Sequence, residues 1–249
     1  MQAVSNLIKP WIGFTSGGML SYRCTSNYGI PHSWNLGIEL AIDNGAEIMT
    51  LLTDDSYPNN SFQTAKIIDF YGKNCDKLDL LSLPMDKSEL ADVRRRFFVY
   101  DCGMTFHKKL VNRLHFDEQL VHTFTDYKFS FDIAARLGKI VIYPQIVIDQ
   151  IPYFSNYAKS RYLPEWILYL IFRNSIYWAR GEKRIKYKIL IIGLFYLMSI
   201  AKWLPKSVKA GRSVQDILFA VMNGTLDGLL GLTGITRNLE KISGGRFKF

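Results

Sequence analysis

Apolar positions in the first part of the chain switch between two periods. Residues 19–25 read as a short strand and residues 47–52 (EIMTLL) as a buried one. Ser33 is placed to cap a helix running to about Asn44, with Gly45 as its stop. Residues 61–71 carry Phe62, Ala65 and Ile68 at helical spacing. Residues 97–100 predict a strand, and residues 105–114 and 125–137 predict helices, the second capped by Thr125 and stopped by Gly138. Residues 140–148 read as a strand interrupted by Pro144. Strands alternating with helices predict an α/β sheet.

From Leu163 the period becomes helical throughout. Pro164 suits the first turn of a helix reaching about Arg180. A second helix is expected over residues 185–203, stopped by Pro205, and a third over 213–230, broken at Gly224 and Gly228. The expected division is therefore an α/β domain over residues 1–158 and a helical region over 159–249.

Charge sharpens that division. The 249 residues carry a net charge of +9, yet residues 159–212 alone hold twelve basic residues against Glu165 and Glu182. Basic residues interleaved with Trp, Tyr, Ile and Leu on helices suit an anionic membrane surface. They also suit nucleic acid, but no nucleic-acid motif occurs, so nucleic acid is not expected as a partner. The longest uncharged apolar run, residues 189–201, has 13 residues against the roughly 20 that span a bilayer. With no signal-like run in the first ten residues, a cytoplasmic protein lying on the inner face of the membrane is expected. Cys24, Cys75 and Cys102 include no CxxC pair, which argues against a disulfide framework or a cysteine-based zinc site.

Two groups of carboxylates suggest chemistry. Asp54 and Asp55 directly follow the apolar strand, and ligands of open α/β sheets bind outside the carboxyl ends of strands. Adjacent acids there suit a divalent cation shared with substrate phosphates, although an ordinary polar turn has the same composition. Asp126 falls in the first turn of a predicted helix, where the macrodipole favours an acid and where a general base could also sit.

Taken in order, these residues resemble the family 2 glycosyltransferases. The segment from Asn27 through Asn35, Gly37, Ile38 and Ala41 is similar to the family's N-x-G…N-x-G-I…A helix, and Leu51 to Pro58 to its D-x-D-like metal site. Phe116-Asp117-Glu118 with Asp126 resembles the FDE…D element, and Arg173-Asn174 a downstream R-N pair. Gly224-Thr-Leu-Asp227-Gly228…Gly231 resembles a segment of the rhamnosyltransferase-like branch. The resemblance implies a GT-A-type α/β sheet and inverting transfer of a sugar, commonly rhamnose, from a nucleotide-diphosphate donor to a lipid-linked acceptor. It implies Asp54 and Asp55 as ligands of Mg²⁺ or Mn²⁺, Asn27, Asn35 and Asp54 at the donor, and Asp126 as catalytic base. Thr53, Thr125, Lys128, Asp132 and Gln150 depart from the family pattern. The family's first strand and its V-D-N-x-S-like loop have no counterpart before Asn27, so the first βαβ element is expected to be missing. A non-catalytic, transferase-derived module that binds a partner is the alternative.

Overall fold

The protein was analysed as a computed structural model, which describes residues 11–15, 18–22, 29–53, 56–58, 64–74, 78–84, 99, 102–136, 138–143, 145–146, 148–150 and 163–245. A hairpin of β1 (Trp11–Thr15) and β2 (Gly18–Tyr22) precedes α1 (Ile30–Asp43) and β3 (Ile48–Thr50). Then follow β4 (Ser56–Pro58), α2 (Thr64–Asn74), β5 (Leu80–Ser82), β6 (Met104–His107) and α3 (Lys108–Val111). The α/β part closes with α4 (Thr125–Arg136), β7 (Ile140–Ile142) and β8 (Ile148–Gln150).

Four strands form one mixed sheet in the order β3-β6-β5-β7, with β6 antiparallel to both neighbours and β5 parallel to β7. Side chains alternate across it, as the pleat requires. Met49, Leu80, Met104, Phe106 and Ile140 pack with Trp34 and Ile38 of α1 and with Phe129 and Ile133 of α4. Leu81 packs on the other face with Ile67 and Tyr71 of α2. The expected α/β class therefore holds, as helices on both faces of a sheet.

Several boundaries differ from the sequence pattern. Helix α1 starts at Ile30, so Ser33 lies inside it and donates its hydroxyl to the Gly29 carbonyl at 3.2 Å. Its end is as expected: Gly45 has φ 86°, and Gly45 and Ala46 donate back to the Ile42 and Ala41 carbonyls. Residues 105–114 are not one helix. Their first residues belong to β6, inside the sheet, and only Lys108–Val111 is helical. The run 140–148 is two strands in different sheets, since β8 pairs with β4. The expected strand 97–100 lies outside the described residues except for buried Val99.

The helical part comprises α5 (Glu165–Gly181), α6 (Ile185–Lys209), α7 (Val214–Leu230) and α8 (Arg237–Ile242). Helix α6 is continuous, with a π segment at Ile192–Leu197 and with Pro205 inside it. Proline does not stop this helix because it falls on the solvent side. Ala201, whose carbonyl loses the proline's missing N–H, is exposed to water as well. Gly224 and Gly228 do not break α7. They let it approach α5: a Cβ on Gly228 would sit 2.6 Å from the Arg173 carbonyl oxygen, and one on Gly224 would strike that of Tyr169. Tyr169 and Trp178 are core residues, whereas Trp203 is half-buried beneath Lys202 and Lys206. Helix α6 is long and apolar enough to cross a membrane by length and composition, which a count of uncharged residues alone had not indicated.

Candidate functional site

The segment 116–126 sits where α1, α4 and α5 meet, and side chains from each hold it. Asn35, on the buried side of α1, accepts from the Phe116 N–H at 3.0 Å and donates to the Phe116 carbonyl and the Glu118 carboxylate, both at 2.9 Å. Its amide is thereby committed to positioning this turn. His32, one helical turn earlier, meets the same carboxylate at 2.9 Å. Burial pushes the Glu118 carboxyl up, but the bonds from Asn35 and His32 outweigh it and hold its pKa below the ordinary range.

From α5 come Arg173 and Asn174, both with no exposed surface. Arg173 donates to the Gly234 carbonyl at 2.5 Å and to the Gln119 carbonyl at 3.2 Å. Asn174 donates to the Leu120 and Thr123 carbonyls at 2.8 and 2.9 Å. Tyr177 donates to Asp117 at 3.1 Å, and burial together with that carboxylate pushes its hydroxyl pKa up to about 12. The sequence expectation of an R-N pair thus falls on residues that tie the helical part to the α/β part.

Held this way, the turn adopts a backbone that its side chains disfavour. Val121 has φ 64° and Phe124 φ 66°. A β-branched residue at positive φ costs on the order of 1–3 kcal/mol, and such strain concentrates at functional sites. The Val121 carbonyl accepts from the Ile30 N–H at 2.8 Å, and Gly29 lies beneath it so closely that a Cβ would come within 2.5 Å of that oxygen. His122, between the two strained residues, has its Nδ1 buried without a hydrogen-bond partner; burial lowers its pKa to about 4.

Asp126 follows directly, in the first turn of α4. It is half-buried, and one carboxylate oxygen accepts from the Tyr127 N–H at 2.9 Å. Thr125 does not cap α4; its hydroxyl turns back to the His122 carbonyl at 3.4 Å. Two departures from the family pattern compensate for each other: Lys128 pairs with Asp132 at 2.7 Å and reaches Asp117 at 3.5 Å. A cleft of about 140 Å³ opens beside Asp117, Lys128, Asp132 and Tyr177. It is too small for a nucleotide sugar, since ligand pockets run to roughly 300–1,000 Å³.

Asn27, Asp54 and Asp55 lie outside the described residues. Thr53, half-buried, ends the segment after β3, whose Leu51 still pairs with Met104 and Gly103 of the neighbouring strand. Strand β3 runs parallel to β5 and β7. Two carboxylates are the hard oxygen donors that Mg²⁺ or Mn²⁺ takes. Among the described residues, no group of three or more His, Cys, Asp or Glu could hold a metal ion. Cys102 is a buried cysteine. Comparison with protein-family models, with curated proteins and with solved structures gives no match for this chain.

Proposed function

We propose that the chain is an inverting glycosyltransferase of GT-A type, working at the cytoplasmic face of the membrane. It moves rhamnose from a nucleotide-diphosphate sugar to a lipid-linked surface-polysaccharide acceptor. The observation that carries this reading is the strained turn ahead of Asp126, clamped by Asn35 of α1 and by Arg173 and Asn174 of α5. A carboxylate on a rigid, over-determined turn is what a general base requires, because its oxygen must meet one acceptor proton in one geometry. Further support comes from the sequence, where Asp54 and Asp55 come shortly after the β3 segment, since ligands of open α/β folds bind beyond the carboxyl ends of strands.

In this mechanism the acceptor hydroxyl gives its proton to the Asp126 carboxylate. The freed oxygen forms a bond to the anomeric carbon as the bond to the diphosphate breaks, inverting that centre. Asp54 and Asp55 would hold Mg²⁺ or Mn²⁺, which when bound neutralises a diphosphate leaving group. Asn35 acts on Asp126 through the turn; Asn27 and Asp54 would bind the donor.

The test is transfer by Asp126→Asn, assayed with dTDP-rhamnose and a polyprenyl-linked acceptor. Removing a general base costs about 10²- to 10⁴-fold in turnover. Wild-type turnover in a folded Asp126→Asn protein removes Asp126 from the mechanism.

A further inference from the structure

Helix α7 is apolar on both sides. Ile217, Ala220, Gly224 and Gly228 are buried, the glycines against α5. The opposite stripe, Leu218, Met222, Leu226 and Leu229, recurs at helical spacing and is between 47% and 68% exposed. A helix apolar all round belongs in a large core or in lipid, and this stripe faces solvent.

Helix α6 repeats the pattern in the same helical layer, joined to α7 by the hydroxyls of Tyr196 and Thr225 at 3.0 Å. Ile185, Ile189, Leu194 and Met198 are exposed. Their one five-residue step falls on the π segment, whose i→i+5 bonding keeps them on one side of the helix.

Charge identifies what covers these stripes. Residues 183–212 carry eight basic residues and no acid. Arg184 and Arg212 pair with Glu182 and Glu165. The six lysines of this stretch have no carboxylate partner among the described residues. Lys202, Lys206 and Lys209 continue the stripe that Met198 ends. A second copy of the chain would bring like charge against like charge. An anionic bilayer offers acyl chains for the apolar stripes and phosphates for the lysines.

We propose that α6 and α7 dock in the plane of an anionic membrane, their apolar stripes in the acyl boundary and their lysines at the phosphates. Docking is in-plane although α6 is long and apolar enough to cross a membrane, because α6 is joined to the rest of the helical part through Tyr196 and Thr225. Its inner face is also already used: Ile191 is buried, and Phe195 stacks on Trp178 with ring centroids 5.2 Å apart. Docking stands whether or not the chain transfers sugar, because no active-site residue takes part in it.

The experiment is flotation of the full chain with vesicles of phosphatidylcholine alone or of phosphatidylcholine and phosphatidylglycerol in equal parts. Far stronger binding to the anionic vesicles than to the neutral ones is expected at low salt. The triple variant Lys202→Gln, Lys206→Gln, Lys209→Gln should bind roughly a hundredfold more weakly. At about 1 M salt, where charges are screened beyond ~3 Å, the wild type should keep residual binding. The double variant Met222→Glu, Leu226→Glu should lose it while melting at the wild-type temperature, since both positions are exposed. Equal binding to both vesicle types, or wild-type binding by the double variant, overturns the proposal. So does a chain that ignores vesicles and dimerises through these stripes.

Discussion

Asn174 and Leu120, 54 positions apart in sequence, are joined where the amide of one meets the carbonyl of the other at 2.8 Å. The same amide reaches the Thr123 carbonyl, so one buried side chain fixes both ends of the turn that leads to Asp126. Asn174→Ala removes both bonds; the Leu120 carbonyl keeps the His122 N–H at 2.7 Å, but the Thr123 carbonyl and the buried Arg173 Nε, which donates to Asn174 at 2.9 Å, lose the partner that Asn174 gives them. We expect a loss of about 2–4 kcal/mol, at roughly 1–3 kcal/mol for each unsatisfied buried group. Thermal denaturation should show it as a melting temperature lowered by several degrees; an unchanged melt would mean that the turn holds without α5.

The glycines of α7 make a second expectation with a definite sign. Alanine is the better helix former by about 1 kcal/mol. At Gly228, however, a Cβ would meet the Arg173 backbone oxygen at 2.6 Å, and backbone cannot swing aside. Overpacking of this kind costs typically 1–3 kcal/mol and should win. At Gly193 of α6, a Cβ would have no neighbour within 4 Å. Gly228→Ala should therefore lower the melting temperature, and Gly193→Ala should raise it. The same sign at both positions contradicts the close approach of α5 and α7.

That contrast bears on what the sequence could reveal. The ends of α1 and α4 were legible because Gly45 and Gly138 are local stop signals whose positive φ needs no tertiary explanation. Gly224 and Gly228 carry the same letter for the opposite reason, and only the position of Tyr169 and Arg173 separates the two. Residues 105–114 have helical spacing, yet Met104–His107 is a strand because β3 and β5 flank it; neighbours in space overrode the local period. The strained turn had no signal at all. Val121 and Phe124 are poor residues for positive φ, and contacts from α1 and α5 impose it. Asn35, Glu118 and Arg173 were marked by the family resemblance, but their bonds to one turn were not.

His122 gives the turn a pH dependence. Its folded pKa, about 4, lies below the ordinary value of 6.5 because burial disfavours the charged ring. Between those values the unfolded chain binds a proton that the native state refuses. Stability should therefore fall as pH drops from about 6.5 towards 4, and level off for this group below that. His122→Phe should flatten the profile in that window. The depressed pKa of Glu118 acts in the same direction, but only once its carboxylate begins to protonate at lower pH. Melting temperatures measured across the window decide it: an identical slope in His122→Phe and wild type would remove His122 as the cause.

Sugar transfer by this chain requires a nucleotide-diphosphate sugar site completed by Asp54 and Asp55. It is tested most directly by thermal shift of the full chain with dTDP, UDP and GDP, each with and without Mn²⁺, in wild type and Asp55→Asn. A ligand present at 100 times its Kd stabilises the native state by about 2.7 kcal/mol. For a chain of this size that is a rise of roughly 5–10 °C. We expect that rise with one nucleotide, only with Mn²⁺, and not in Asp55→Asn. A cooperatively melting wild-type protein that shifts with none of the three would contradict the transfer function and leave a non-catalytic, partner-binding module in its place.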